Sequence, residues 1–503
     1  MGEPRGARPG PGRDPARGRE PGRGPRPRSA TPPAERTRRA EPTRAAAFHL
    51  LRAVADGAYA NLELPRLLKR SHLQGRDAAF TTELAFGTLR HRSFYDAVIA
   101  RAADRPVSAI DDRALDVLRL GVHQLLGMRV PDHAALDQTV GLARAVVSQG
   151  SGGFVNAVLR RVSEADRETW LERVRPEGGG VPALALEHSH PDWIVTAFRG
   201  ALLASGLADA SSIENEVTSL LTVDNDPPKV ALVARPGLAT VDELVDSADA
   251  ARSTTSPIGA VLQGGDPGAV PAVRDGRAAA QDEGSQLLAL ALAEVPVDDS
   301  VTGPECWLDL CAGPGGKSGV LAAIAEQRGI PFVANEVSDH RAELVRQTLR
   351  ALPGVEVRTG DGRTIGEAEP PAYTRVLVDA PCTGLGALRR RPEARWRRQP
   401  SDLATLGPLQ RDLLRSAIDA TVPGGVIGYA TCSPHLAETT FVVRYVLKKR
   451  DDVEVVDARP FFRDASGEGL ADLGDGPFVQ LWPHRHGTDG MFFALLRRRS
   501  LAD

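Results

Sequence analysis

Two cysteines stand where a thiol could do chemistry. Cys382 lies in VLVDAPCTGLG, just past a nearly continuous apolar run, and Cys432 lies in GYATCSP, just past another. Such runs read as buried strands of a parallel sheet. Strands that succeed one another in such a sheet often lie side by side, about 4.8 Å apart. Their C-terminal ends would bring both thiols, with Asp379, to one rim. Ser433 and Pro434 read as the cap and first residue of a helix whose positive end would favour a Cys432 thiolate. Cys306 and Cys311 flank another apolar run and read as small core residues. The four cysteines have neither metal-ligand spacing nor a disulfide framework, so no metal is expected and a reduced, cytoplasmic setting is.

A second stretch suits a nucleoside. In WLDLCAGPGGK (307–317) an apolar run enters a glycine turn, and a helical run from Ser318 to about Arg328 follows at once. Gly313, Gly315 and Gly316 let the backbone approach a ligand closely, and the helix start offers free N–H groups. The spacing is not the GxGxxG of dinucleotide enzymes. About twenty residues on, after a second apolar run, Glu336 stands where an acid would reach a ribose diol. Asp361, in GDGR, ends a third run where an acid can accept from an adenine amine. The segment 387–398 is dense in Arg around Trp396, and Arg389, Arg390, Arg391, Arg395 and Trp396 read as a phosphate-binding wall with a ring for stacking.

Stepping outward to what must position these groups, the 503 residues allow two to four domains with real cores. The net charge of −3 conceals an uneven distribution, because the first 44 residues hold twelve Arg against five acids. Residues 1–42 have almost nothing apolar to bury and read as a disordered Arg/Pro/Gly-rich tail. No apolar run is long enough to cross a membrane. From Ala45 to about Glu172 apolar residues recur at helical spacing. Leu115, Leu118, Val122 and Leu125 form one stripe, and Leu136, Val140, Ala143 and Val147 another. The chain to about Gly276 mixes helices with a few strands such as 229–235, and 250–275 reads as a surface loop. From Ala278 strand and helix signals alternate, which means a mostly parallel sheet covered on both faces. The last strand, 491–497, could pair antiparallel at an edge.

These residues carry a family resemblance. Segments 75–92, 133–143 and 153–162 resemble the NusB-type RNA-binding helical domain. EGSQ (283–286), DLCAGPGGK (309–317), NE (335–336), GDGR (360–363), DAPCTGLG (379–386) and YATCSP (429–434) closely resemble the RNA cytosine-5 methyltransferases. From about residue 43 the whole chain resembles the bacterial 16S ribosomal RNA methyltransferases of the RsmB (Sun/Fmu) type. The resemblance implies a multidomain α and α/β chain. Its parts are the tail (1–42), a NusB-like helical RNA-binding domain (43–180), a linking α+β segment with a loop insertion (181–277) and a Rossmann-like methyltransferase domain (278–503).

It implies S-adenosylmethionine as cofactor, held by Cys311, Ala312, Gly313, Pro314, Gly315, Gly316, Lys317, Glu336, Asp361 and Asp379. It makes Cys432 the nucleophile toward C6 of a cytosine, Cys382 the residue of elimination and release, and Asp379 the group that positions the base. The implied partner is 16S rRNA or another structured RNA such as tRNA, with no membrane and a monomer favoured. DNA cytosine-5 enzymes attack with the PC cysteine instead, and a silent RNA-binding assembly factor would not need paired thiols.

Overall fold

The computed structural model describes residues 40–499. The expected tail therefore lies, up to position 39, outside the described residues. The chain enters its first helix, Pro42–Ala55, with the Glu41 carboxylate accepting the backbone N–H groups of Thr43 and Arg44. Helices follow one another from there to Val174. Their inward faces close a core in which Phe48, Phe94, Leu118, Val122 and Leu159 are shut off from solvent. The stripe through Leu115 thus marks the buried side of Asp112–Leu126, as its helical period requires.

Further helices, Gly180–Glu187, Asp192–Ala204 and Ile213–Val223, lead to a small antiparallel sheet. Its strands are β1 (Ala231–Ala234), β2 (Ala250–Arg252), β3 (Gly259–Leu262) and β4 (Ala278–Ala280), in the order β2-β3-β1-β4. The stretch read as a surface loop, 250–275, therefore contains two strands and the short helix Pro271–Arg274. Strands of three or four residues with Gly and Pro at their ends carry too little alternation to stand out in a sequence. The sheet also runs past residue 277, so a boundary there falls inside it.

The second sheet positions the chemistry. Its strands are β5 (Trp307–Asp309), β6 (Phe332–Glu336), β7 (Glu356–Thr359), β8 (Tyr373–Asp379), β9 (Thr421–Thr431), β10 (Val453–Val456), β11 (Val479–Gln480) and β12 (Phe492–Arg498). The order is β10-β12-β9-β8-β5-β6-β7, with β11 beside β12. β5 to β9 are parallel, whereas β12 is antiparallel to both β9 and β10. The last strand is thus antiparallel but not an edge, because β10, only four residues long, covers it. From β5 the chain steps outward to β6 and β7, then crosses back to β8 on the other flank of β5. The crevice between β5 and β8 is where the strand order reverses, the usual place for a ligand in an open α/β sheet. Among the described residues, no helix is long and apolar enough to cross a membrane.

The Arg-rich segment has a structural task that its sequence did not reveal. Arg395 is fully buried and donates from Nη1 to the carbonyls of Arg90 and Ser189 and to Asn225 Oδ1, and from Nη2 to the Asp224 carbonyl. Trp396 Nε1 donates to the Leu89 carbonyl, and Glu393 Oε1 accepts the Ala60 N–H. Reading Arg395 as part of an RNA-facing wall is corrected here: its side chain is spent joining the helical bundle to the rest of the chain, and the half-buried Trp396 adds one bond to that junction. Burial makes Arg395 easier to deprotonate, at about 10, with Asp224 opposing that shift. Arg395→Ala would leave several buried carbonyls without a donor and remove the cation near the buried Asp224. A loss of about 3–5 kcal/mol is expected in chemical denaturation. An unchanged midpoint would show that this peg does not hold the bundle in place.

Candidate active site

At the crevice, β5 delivers Asp309, and the turn Cys311–Gly315 leads into the helix Gly316–Gln327. Gly315 has φ +104°, a conformation that side-chain-bearing residues rarely adopt. Gly313 is glycine for a different reason. A Cβ there would lie 2.3 Å from Glu336 Oε2, which instead accepts the Gly313 N–H at 3.1 Å. Glu336, at the end of β6, is 2% exposed; its Oε1 accepts the Ser338 N–H, and Arg341 Nη2 stands 3.4 Å from Oε2. A carboxylate fixed beside a glycine turn suits a ribose diol, with Arg341 bonded to the Gly313 carbonyl on the same turn. The first N–H groups of the following helix, which have no partner within it, add donors. These residues fit an adenosyl cofactor.

Asp361 follows the end of β7, the strand beside Glu336, and pairs with Arg363 through both carboxylate oxygens. That pairing holds its carboxyl below the ordinary range.

On the far side of the crevice Asp379 ends β8. Lys317 Nζ donates to its Oδ2 at 2.7 Å, so a residue of the glycine turn's helix and the end of β8 meet across the strand reversal. Burial opposes charge on Lys317, but Asp379 more than offsets it and raises the ammonium pKa. Asp309, which the sequence reading passed over, lies beneath this pair. It is buried, its Oδ2 accepts Ser318 Oγ at 2.6 Å, and burial pushes its carboxyl up to about 7. The acid inside WLDLC was the available signal; it looked like an ordinary strand residue.

The register of β8 on β9 sets Asp379 opposite Ala430. Cys382 and Cys432, a few residues beyond, meet with their sulfurs 3.4 Å apart. The contact moves the two thiols in opposite directions. Cys432 is held below the ordinary thiol range by the hydrogen bond from Cys382, against burial, with Lys317 and Arg391 assisting. Cys382 is pushed well above it by the same bond and by burial. The contact thus favours ionisation at Cys432 over Cys382.

The support for this pair differs from the reading at Ser433–Pro434. No helix starts there: the next α-helix is Thr440–Leu447, after a short turn at Leu436–Glu438. Ser433 Oγ accepts the His435 N–H at 3.3 Å, but its own proton goes inward, to a buried carboxylate. Ser433 Oγ donates to Glu438 Oε2 at 2.7 Å. Glu438 also accepts the Thr383 N–H at 2.8 Å and the Thr383 hydroxyl at 2.5 Å. Gln410 Nε2 reaches both Glu438 Oε1 and the Pro381 carbonyl. One fully buried carboxylate thus ties the residue after Cys382 to the residue after Cys432. Nothing local in the sequence pairs Glu438 with Thr383, 55 residues earlier.

The remaining arginines are engaged too. Arg389 is buried and donates to the Gly487 carbonyl, and Arg390 bridges Asp282 and Asp489. Their charges serve internal acids rather than an open wall. Arg391 is exposed and is near enough to act on Cys432.

Comparison with known proteins is decisive at this point. Residues 300–497 match the family model "16S rRNA methyltransferase RsmB/F", and residues 41–164 match the NusB family. A putative methyltransferase of Mycobacterium tuberculosis is 51% identical over 456 residues, which is 90% of this chain and 96% of that one. The ribosomal RNA small subunit methyltransferase B of Pseudomonas syringae pv. tomato is 30% identical over 91% of this chain and 97% of its own length. The chain belongs to the RsmB/F family of 16S rRNA methyltransferases. The crystal structure of PH0851 shares the fold, with a TM-score of 0.73 at 20% identity, covering 91% of this chain and 99% of that one. As a family member the chain is an S-adenosylmethionine-dependent RNA methyltransferase, and the glycine turn with Glu336 is a cradle of the right chemistry for that cofactor.

Two outcomes follow from the geometry. Iodoacetamide should label Cys432 ahead of Cys382, with half-maximal rate below the ordinary thiol pKa of about 8.5; peptide mapping that finds Cys382 labelled first would reverse the assignment. Glu438→Ala should cost about 3 kcal/mol of stability, because several buried donors lose their acceptor. Denaturation curves overlying those of the wild type would remove its tying role.

Proposed function

We propose that this enzyme methylates C5 of a cytosine in 16S rRNA through a covalent adduct between Cys432 and C6. The observation that carries the reading is the 3.4 Å contact between two sulfurs of opposite acid strength, at a rim shared with the Lys317–Asp379 pair. C5 of cytosine is a poor nucleophile. When the Cys432 thiolate bonds to C6, electron density moves to C5. The bound cofactor supplies an electrophilic methyl group on sulfonium. C5 would take that methyl group as the methyl's bond to the sulfonium breaks. H5 then leaves C5 as a proton to water, its electron pair restores the C5–C6 double bond, and the C6–Cys432 bond breaks with its electron pair left on sulfur.

Cys382 stays protonated until Cys432 is consumed. It stands where it can pass a proton to the departing sulfur, so elimination and release fall to it. Asp379, fixed by Lys317, faces the same rim and would hold the polar edge of the base near N3. Cys311 to Lys317, Glu336 and Asp361 would hold the cofactor. Arg391 is the member of the Arg-rich segment left to meet a phosphate. A base stacked in a duplex cannot reach the two sulfurs, so the target must be unpaired or flipped out. The reading places the enzyme in the cytoplasm with its rRNA, as a monomer.

Cys432→Ala should abolish methyl transfer while leaving cofactor affinity unchanged by calorimetry. Cys382→Ala should accumulate an RNA adduct that survives denaturing electrophoresis. Turnover retained by the first variant, or no adduct with the second, would contradict the division of roles. Bisulfite sequencing of 16S rRNA from cells with and without the gene should show one cytosine losing protection.

A further inference from the structure

Away from the rim, helix Thr440–Leu447 shows solvent two aromatic rings one turn apart: Phe441, 53% exposed, and Tyr445, 42% exposed. Three cations converge on the Tyr445 ring. The guanidinium of Arg411 is 4.5 Å from its centroid, that of Arg415 is 5.7 Å away, and the Lys449 ammonium is 5.1 Å away. Arg444 and Lys448 are exposed close by. Arg415 pairs with Asp412 at 2.7 Å. Among the described residues, Arg411, Arg444, Lys448 and Lys449 make no salt bridge. Of the acids near the end of the helix, Asp419 and Asp452 both pair with Arg450, which leaves the exposed Asp451 against the five cations of the patch. Like charges gathered so closely repel one another, and an anion arriving among them relieves that cost.

The patch lies on elements that also brace the catalytic rim. Arg411 follows Gln410, which bonds the Pro381 carbonyl and Glu438, and Phe441 comes three residues after Glu438.

We propose that the joint face of helices Asp402–Ala420 and Thr440–Leu447 is a docking surface for RNA flanking the target cytosine. Phosphates would lie on Arg411, Arg444, Lys448 and Lys449, and unpaired bases on Phe441 and Tyr445. Rings interleaved with unpaired cations suit a single strand, which offers both charge and flat faces. A protein interface favours few lysines at its centre. The inference rests on RNA being the substrate, as proposed above.

The test uses the full chain, in-vitro-transcribed 16S rRNA, and two multiple variants of exposed residues outside the catalytic machinery. Phe441→Ala with Tyr445→Ala should weaken RNA binding about tenfold. Arg444→Gln, Lys448→Gln and Lys449→Gln together should lower the slope of log affinity against log salt by about two to three. In both variants KM for RNA should rise while kcat and cofactor affinity, which also report an intact fold, stay unchanged. Wild-type affinity and slope in both variants would overturn the surface and leave a protein partner as its use. A wild-type chain that fails to bind the transcript would overturn both this surface and the proposed substrate.

Discussion

The proposed chemistry depends on a hydrogen bond between two sulfur atoms. A thiol is a weak donor, and a lone buried thiol resists ionising. Setting Cys382 against Cys432 at 3.4 Å lets one thiol hydrogen-bond the other, and that contact lowers Cys432 while raising Cys382. Lys317 and Arg391 favour charge on Cys432 and Glu438 disfavours it on Cys382, whereas Asp379 raises both thiols. In the proposed mechanism this asymmetry would separate attack from release, and it is present before any substrate arrives.

Holding that contact takes support from several distant parts of the chain. The parallel register of β8 on β9 brings the loops level, and Glu438 fixes their spacing by accepting from Thr383 and Ser433 together. A carboxylate so deeply buried is tolerated because hydroxyl, amide and side-chain N–H donors satisfy it. Lys317 then joins the cysteine rim to the glycine turn across the strand reversal. Cofactor cradle and nucleophile are consequently parts of one bonded framework, and a shift in either would be felt by the other.

The sequence made the sheet and its rim legible because each long strand carries an unbroken apolar run and each functional turn carries Gly or Pro. The strands around Trp307, Phe332, Glu356, Tyr373, Thr421 and Phe492 all have such runs or clear turn signals at their ends. What stayed hidden was whatever depends on partners remote in the chain. Glu438 finds Thr383 only after folding, and Arg395 becomes a buried peg only because Arg90, Ser189 and Asp224 surround it. A dense run of Arg looks the same in sequence whether it faces phosphate or its own backbone. Likewise Ser433–Pro434 has the composition of a helix start, yet Ser433 gives its proton to a carboxylate a few residues on. The short strands β2, β3 and β10 were missed because so few residues hold no readable period.

The central claim is that Cys432, and not Cys382, bonds to the base. The most direct measurement supplies RNA in which cytosine is replaced by 5-fluorocytosine, whose fluorine cannot leave C5 as a proton does, so that the methylated adduct is trapped. After nuclease and protease digestion, mass spectrometry should find the modified nucleotide on the peptide that contains Cys432. The same mass on the peptide that contains Cys382, or on neither, would contradict the account.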